Sequence, residues 1–186
     1  AYRAFLTIPR GPDSLYGGNL ALMRLLDNRS AVYRRLGVLS VRIGKAKDGG
    51  KYLKQALKAD PEFAGTHLLL ARAYLADGDV QAAEKAANEY IQAVPDGAEG
   101  YRFLITLYDS QNRLPQAIKT TEELLARKPD LYRMRFLLGG LYERAGQHDR
   151  AMACYRRLVK ERRRYLPVYL KLAKLYHDEG KDAEAL

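Results

Sequence analysis

The chain repeats one pattern of apolar and polar positions at a fixed step of 34 residues. An anchoring leucine recurs in five copies, at Leu36, Leu70, Leu104, Leu138 and Leu172. The residue after it is small in four of them and stands at Gly37, Ala71, Ile105, Gly139 and Ala173. Four positions after the leucine come Ser40, Tyr74, Tyr108, Tyr142 and Tyr176. Residues four apart lie on one face of a helix, so each copy is predicted to contain a helix with one apolar face.

The same pattern then ends that helix and starts another. A turn position follows, and it is occupied by residue types that suit the left-handed conformation of helix ends: Gly44, Gly78, Asn112, Gly146 and Gly180. A small-residue position comes next and allows a second helix to approach the first: Gly49, Ala83, Ala117, Ala151 and Ala185. Pro61, Pro95 and Pro129 stop the second helix in three copies, whereas Arg163 holds that place in the fourth. Each complete copy is therefore predicted to contain two helices joined by a short turn.

This combination resembles the tetratricopeptide repeat (TPR) family over residues 30–186. The resemblance implies an all-α fold, a right-handed superhelical solenoid of antiparallel helix pairs. One helix pair cannot bury its own apolar face, so the copies must stack and share a core with their neighbours. The expected repeats span residues 30–63, 64–97, 98–131, 132–165 and 166–186, the last of them incomplete.

The two ends of the chain carry separate expectations. Residues 1–29 read as an N-terminal segment in which Leu20, Met23 and Leu26 belong to a degenerate second helix that caps the array. Residues 181–186 read as the opening turn of a second helix, and we expect more helix to follow in the parent protein. An uncapped last repeat would leave an apolar face open for self-association.

Composition indicates a soluble chain without a recognisable catalytic centre. Of the 186 residues 47% are apolar, and no apolar run approaches the roughly 20 residues needed to cross a bilayer. Cys154 is the one cysteine, so an intramolecular disulfide is impossible, and we expect its side chain to pack in or near the core. The histidines lack metal-ligand spacing, and Glu122 and Glu143 read as ordinary surface acids. We expect no enzyme, no metal and no cofactor, in a cytoplasmic or periplasmic setting.

The net charge of +10 is concentrated near the end of the fourth copy. Between residues 156 and 164, six basic residues stand against the single acid Glu161. If the second helix of that copy runs on to Leu166–Pro167, five of the six fall within an arc of roughly 120°. These five define a predicted basic ridge: Arg156, Arg157, Lys160, Arg163 and Arg164. A polyanion is the possible ligand, and a merely solvated face is the favoured alternative.

The TPR resemblance also implies a binding surface. In such repeats the inner, concave wall is lined by the residues of each first helix that do not pack into the core. Carried over copy by copy, the assignment gives the predicted concave wall as Arg34, Arg35, Arg42, Leu68, Arg72, Arg102, Phe103, Arg133, Phe136, Lys171 and Lys174. Arginine mixed with large apolar side chains is typical of protein-binding surfaces. The expected partner is a peptide or helical segment that carries both acids and large apolar residues.

Three functional hypotheses remain open at this point. The first is a non-enzymatic protein-interaction and assembly scaffold that uses the concave wall. The second is a basic helical-repeat module that binds nucleic acid or another polyanion, although the basic-aromatic interleaving of a stacking platform is missing from the sequence. The third is the TPR accessory region of a larger envelope-assembly, polysaccharide-export or secretion protein. Repeat architecture alone does not separate the first from the third.

Overall fold

The computed structural model describes residues 28–178 and residue 180, and over these residues the chain is all-α. The chain divides into two compact units, Ala1–Pro95 and Asp96–Leu186. The expected capping helix before residue 28, Ala185 and the opening turn at residues 181–186 lie outside the described residues.

The first unit contains two helix pairs. Its helices are α1 (Arg29–Arg42), α2 (Ala46–Ala59), α3 (Gly65–Ala76) and α4 (Val80–Ala93). Helix α1 packs on α2 and α3 packs on α4, while α3 also contacts both α1 and α2. The Asp79 carboxylate accepts a hydrogen bond of 3.0 Å from the Ala82 N–H and caps α4. Helix α3 therefore joins the two pairs into one core.

The second unit continues the alternation with five helices. They are α5 (Ala98–Ser110), α6 (Leu114–Arg127), α7 (Tyr132–Arg144), α8 (His148–Glu161) and α9 (Pro167–Asp178). Each helix packs on the next one along the chain. The repeating leucines Leu104, Leu138 and Leu172 are all buried here, whereas Leu36 in the first unit is half-buried.

The predicted small-residue position is where paired helices meet most closely. Ala83, Ala117 and Ala151 have no exposed surface. In the first pair glycine is required on both sides, because a Cβ on Gly37 would lie 2.5 Å from Leu53 Cγ and one on Gly49 would lie 2.8 Å from the Gly37 carbonyl oxygen. Atoms this close overlap, so a larger residue would push α1 and α2 apart.

The predicted turn residues all adopt the left-handed conformation. The φ angles of the four glycines are +79° at Gly44, +84° at Gly78, +71° at Gly146 and +70° at Gly180. Asn112 takes the same role with φ of +56°, which asparagine tolerates better than most residues with a Cβ. The turn prediction is confirmed at all five positions.

The expected extension of the fourth second helix is wrong. Helix α8 ends at Glu161, at the same place in the 34-residue step as Ala59, Ala93 and Arg127. Arg162 leaves the helical conformation, and the Tyr165 N–H donates to its carbonyl oxygen at 2.9 Å. The chain can turn here without a proline because the Tyr165 ring packs against α7, as described below. Pro167 instead begins α9, where its missing N–H costs nothing.

We predict that Ala117→Phe or Ala151→Phe lowers the free energy of unfolding by about 1–3 kcal/mol, because a ring does not fit where two helices meet. Matched thermal or urea melts measure the change. Ala153→Phe is the control, since Ala153 lies on α8 beside Ala151 but is exposed. Equal stability of the Ala151 and Ala153 variants would contradict the helix pairing.

Candidate functional site

An open apolar pocket of about 490 Å³ lies between α1 and α3 in the first unit. We call it the α1–α3 groove, and its lining residues are Arg34, Arg35, Leu36, Val38, Leu39, Phe63 and Leu69. Several of its apolar side chains reach solvent: Leu39 is 52% exposed and Phe63 is 46% exposed. An apolar surface of this kind on a folded domain is typical of an interaction site.

Arg34 is held in place at the edge of this groove. Its guanidinium donates to the Ser30 hydroxyl at 2.5 Å, forms an ion pair with Asp60 at 3.4 Å and stacks on the Phe63 ring at 4.0 Å from the centroid. The Ser30 hydroxyl in turn donates to the Ala56 carbonyl oxygen. The guanidinium and the ring are therefore ordered before any ligand arrives.

The other predicted wall residues of the first unit separate into two groups. Arg35, Arg42 and Arg72 are exposed, as a binding surface requires. Leu68 is 9% exposed and belongs to the core, so its expected role as an open apolar anchor is wrong. The sequence did not distinguish the two roles, because a leucine on a first helix can either pack in the core or contact a partner. Phe63, which follows α2, provides the exposed apolar group instead.

In the second unit two of the six predicted wall residues, Phe136 and Lys171, pack or pair with neighbours inside the unit. Phe136 packs on Tyr155 and Tyr165 with ring centroids 5.6 Å and 5.3 Å apart, and the Lys171 ammonium forms an ion pair with Glu143 at 2.9 Å. The remaining members are exposed or half-buried; these are Arg102, Phe103, Arg133 and Lys174. Removing the Phe136 ring would disturb packing, so this residue cannot report on binding alone.

The five predicted ridge residues do not share one helical face. Arg156, Arg157 and Lys160 lie on α8, whereas Arg163 and Arg164 lie in the turn after it. Arg156 donates to the Tyr176 hydroxyl at 2.9 Å, and Arg157 donates to Glu161 at 2.7 Å. The arc of basic side chains required a helix through residue 164, and that helix ends three residues earlier.

Arg135, which no sequence pattern predicted as a functional residue, is a buried cation with 5% exposure. Its guanidinium forms an ion pair with Glu161 and donates to the Pro129 carbonyl oxygen at 2.7 Å. A hydrogen bond from Arg157 and the charge of Arg135 lower the pKa of Glu161 below its usual value. Arg135 thus connects Glu161 at the end of α8 with Pro129 in the turn before α7. No recurring position of the 34-residue pattern predicts these contacts.

Two tyrosines of the repeated core also have acidic partners. The Tyr142 hydroxyl donates to Glu122, which also accepts from Arg150 at 2.8 Å, and the Tyr155 hydroxyl donates to Glu143 at 2.5 Å. Burial and these carboxylates raise the pKa of both phenols, so they stay protonated as donors. Glu122 and Glu143 thus have structural roles that their reading as ordinary surface acids did not include.

The described residues contain few of the features that catalysis uses. No three His, Cys, Asp or Glu side chains among them come together as a metal site. Burial raises the pKa of the half-buried Cys154 thiol, which disfavours the reactive thiolate. In the same part of the chain no helix has the length and apolar character to cross a membrane.

Comparison with known families identifies the repeat. Two tetratricopeptide repeat models match the chain, one over residues 44–104 and the other over residues 104–167. The chain belongs to the tetratricopeptide repeat family. As the resemblance implied, it is an all-α helical repeat protein, and TPR membership supports a protein-interaction scaffold in general.

Similar proteins of known structure agree with this fold. Two crystal structures of MamA cover 80% and 85% of this chain and 87% and 86% of their own, with TM-scores of 0.64 and 0.67 at 23% and 22% identity. The Pseudomonas aeruginosa protein PilF has a TM-score of 0.61 at 20% identity and covers 86% of this chain and 72% of its own. At these identities the likeness shows the fold alone.

One curated relative matches part of the chain. The Sol locus transcriptional repressor of Clostridium acetobutylicum is 32% identical over 79 residues, which are 42% of this chain. The chain spans about a quarter of the length of that relative.

We predict that the Glu161 ion pairs stabilise the second unit above acidic pH only. Because the folded-state pKa of Glu161 is lowered, its contribution is present above the unfolded-state pKa of about 4.3 and is lost as the pH falls through the folded value. Glu161→Gln should therefore lower the melting temperature at neutral pH, with a difference from wild type that shrinks in acid. Glu123→Gln, an exposed carboxylate on α6, is the control, and an equal pH-dependent difference there would contradict this role.

Proposed function

We propose that this protein is a non-enzymatic interaction scaffold and that the α1–α3 groove binds a segment of a partner protein. The observation that carries the proposal is the exposed apolar lining of the groove beside two arginines. Helices α1 and α3 are the first helices of neighbouring copies, which the TPR resemblance assigns to the inner wall.

Apolar contacts are proposed to supply most of the affinity. Leu36, Leu39 and Phe63 offer an apolar lining with space for a leucine- or phenylalanine-sized side chain, given the volume of about 490 Å³. Burying one such side chain is worth about 1.5–3 kcal/mol before the entropy of association is subtracted. Two apolar anchors in one segment are therefore needed for useful affinity.

The charge at the groove selects an acidic partner. Arg34 already has Asp60 beside it, whereas Arg35 is exposed and forms no ion pair within the described residues. An acid next to the apolar anchors of the partner would meet Arg35 first. Such exposed charges set the orientation and the association rate more than the affinity.

The other exposed residues of the predicted wall extend this proposal within each unit. Arg42 and Arg72 are proposed to attract acids that flank the segment bound in the first unit. In the second unit Arg102 and Phe103 are proposed as a smaller site of the same kind, with Arg133 and Lys174 as further cations.

A selected peptide provides the test. Random peptides displayed against the purified protein should be enriched in sequences with at least one acid and two large apolar residues. For one such peptide, Arg35→Glu with Leu39→Gln should weaken binding by tenfold or more, equivalent to about 1.4 kcal/mol. Isothermal titration or fluorescence anisotropy gives the dissociation constants.

A matched variant distinguishes the groove from the rest of the unit. Lys58→Glu with Leu75→Gln makes the same two kinds of change at exposed positions on α2 and α3 that do not line the groove. It should leave peptide binding within about twofold of wild type. Peptides without acids, or equal losses in the two double variants, would refute the groove as the site.

A further inference from the structure

A second pocket, of about 400 Å³, lies at the turn between α8 and α9, and its lining consists of arginine and tyrosine alone. We call it the arginine–tyrosine pocket, and its residues are Tyr132, Arg162, Arg163, Arg164 and Tyr165. We infer that it is an anion-binding site for an acidic protein segment with closely spaced carboxylates.

The arginines of this pocket differ from four of the arginines on α7 and α8. Arg135, Arg144, Arg150 and Arg157 all form ion pairs with carboxylates. Arg162, Arg163 and Arg164 are exposed and form none within the described residues, and neither does Arg133 next to Tyr132. The acids of this region therefore neutralise one set of arginines and leave a second set, gathered at the turn, without an internal counter-charge.

The turn itself is rigidly built. The Tyr165 ring meets the Tyr132 ring edge-on at 5.4 Å and the Phe136 ring at 5.3 Å, while the Tyr169 hydroxyl donates to the Arg163 carbonyl oxygen at 2.8 Å. These contacts hold the turn that carries the three consecutive arginines. Their side chains can bind a ligand without first ordering the loop, which reduces the entropy cost of binding.

Tyr132 holds two of the guanidiniums near the pocket. Those of Arg162 and Arg133 lie 5.3 Å and 5.8 Å from its ring centroid, and the Arg133 Nε donates to its hydroxyl at 3.2 Å. The Arg162 guanidinium over the ring has no hydrogen-bond partner among the described residues, so its N–H groups can bind a carboxylate in a bidentate manner.

The same contacts favour a carboxylate ligand over a nucleic acid. Binding of single strands depends on aromatic faces that are open to bases. The Tyr132 ring already contacts two guanidiniums and the Tyr165 ring, and Tyr165 contacts Tyr132 and Phe136. Rings occupied in this way position arginines and leave little open aromatic face for a base.

Fluorescence anisotropy with labelled hexaglutamate tests the inference. Wild-type protein should bind it at ~30 mM salt and much more weakly at ~300 mM, since screening removes attraction between exposed charges. Arg162→Glu with Arg164→Glu should weaken binding about tenfold or more. Arg162→Lys with Arg164→Lys keeps the charge and should still lose several-fold, because an ammonium cannot make the bidentate contact.

The control variant changes the net charge of the protein by the same amount at positions away from the pocket. Lys85→Glu with Lys119→Glu alters exposed lysines of α4 and α6 and should change hexaglutamate binding by less than about twofold. Melting curves should be alike for all variants, because none of the substituted side chains is buried. No binding by wild type, an equal loss in the lysine control, or tighter binding of a single-stranded oligothymidylate of equal charge would each overturn the inference. The groove variants leave this pocket intact, so the two proposals can fail separately.

Discussion

Close contact between two helices is the constraint on which the other features of each unit depend. Gly37 and Gly49 allow α1 and α2 to approach until side-chain atoms would overlap, and fully buried alanines do the same in later pairs. Once the axes are this near, the anchoring leucines other than Leu36 are buried and the turn residues take a left-handed conformation. The exposed groove on α1 and α3 is then the part of the apolar surface that pairing leaves uncovered.

Features that act within one copy of the pattern were predictable from the sequence. The helices, the five left-handed turns and the small-residue contacts each depend on residues a few positions apart. Side-chain contacts between the two helices of a copy, whose partners lie far apart in the sequence, were not. Tyr165 ends α8 by packing on α7, and Arg135 reaches Glu161 across 26 residues, so neither has a local signature.

The candidate sites divide in the same way. Arg35 and Arg72 on the first helices are exposed, as charged side chains usually are, whereas Arg135 on α7 is buried with Glu161 as its partner. Whether an apolar residue is open depends on its neighbours: Leu68 is covered, and Phe63 is open with Arg34 stacked on it. The sequence composition alone revealed the basic segment from residue 156, but the positions of its side chains depend on where α8 ends.

Asn112 shows a consequence for the way such repeats can be exchanged. It takes the turn position that glycine holds elsewhere, and its side chain accepts a hydrogen bond from Arg144, which also pairs with Asp109. The turn between α5 and α6 is thus matched to α7 of the following copy. Duplicating, deleting or shuffling copies at this junction would separate these specific partners, although the two copies share the 34-residue pattern.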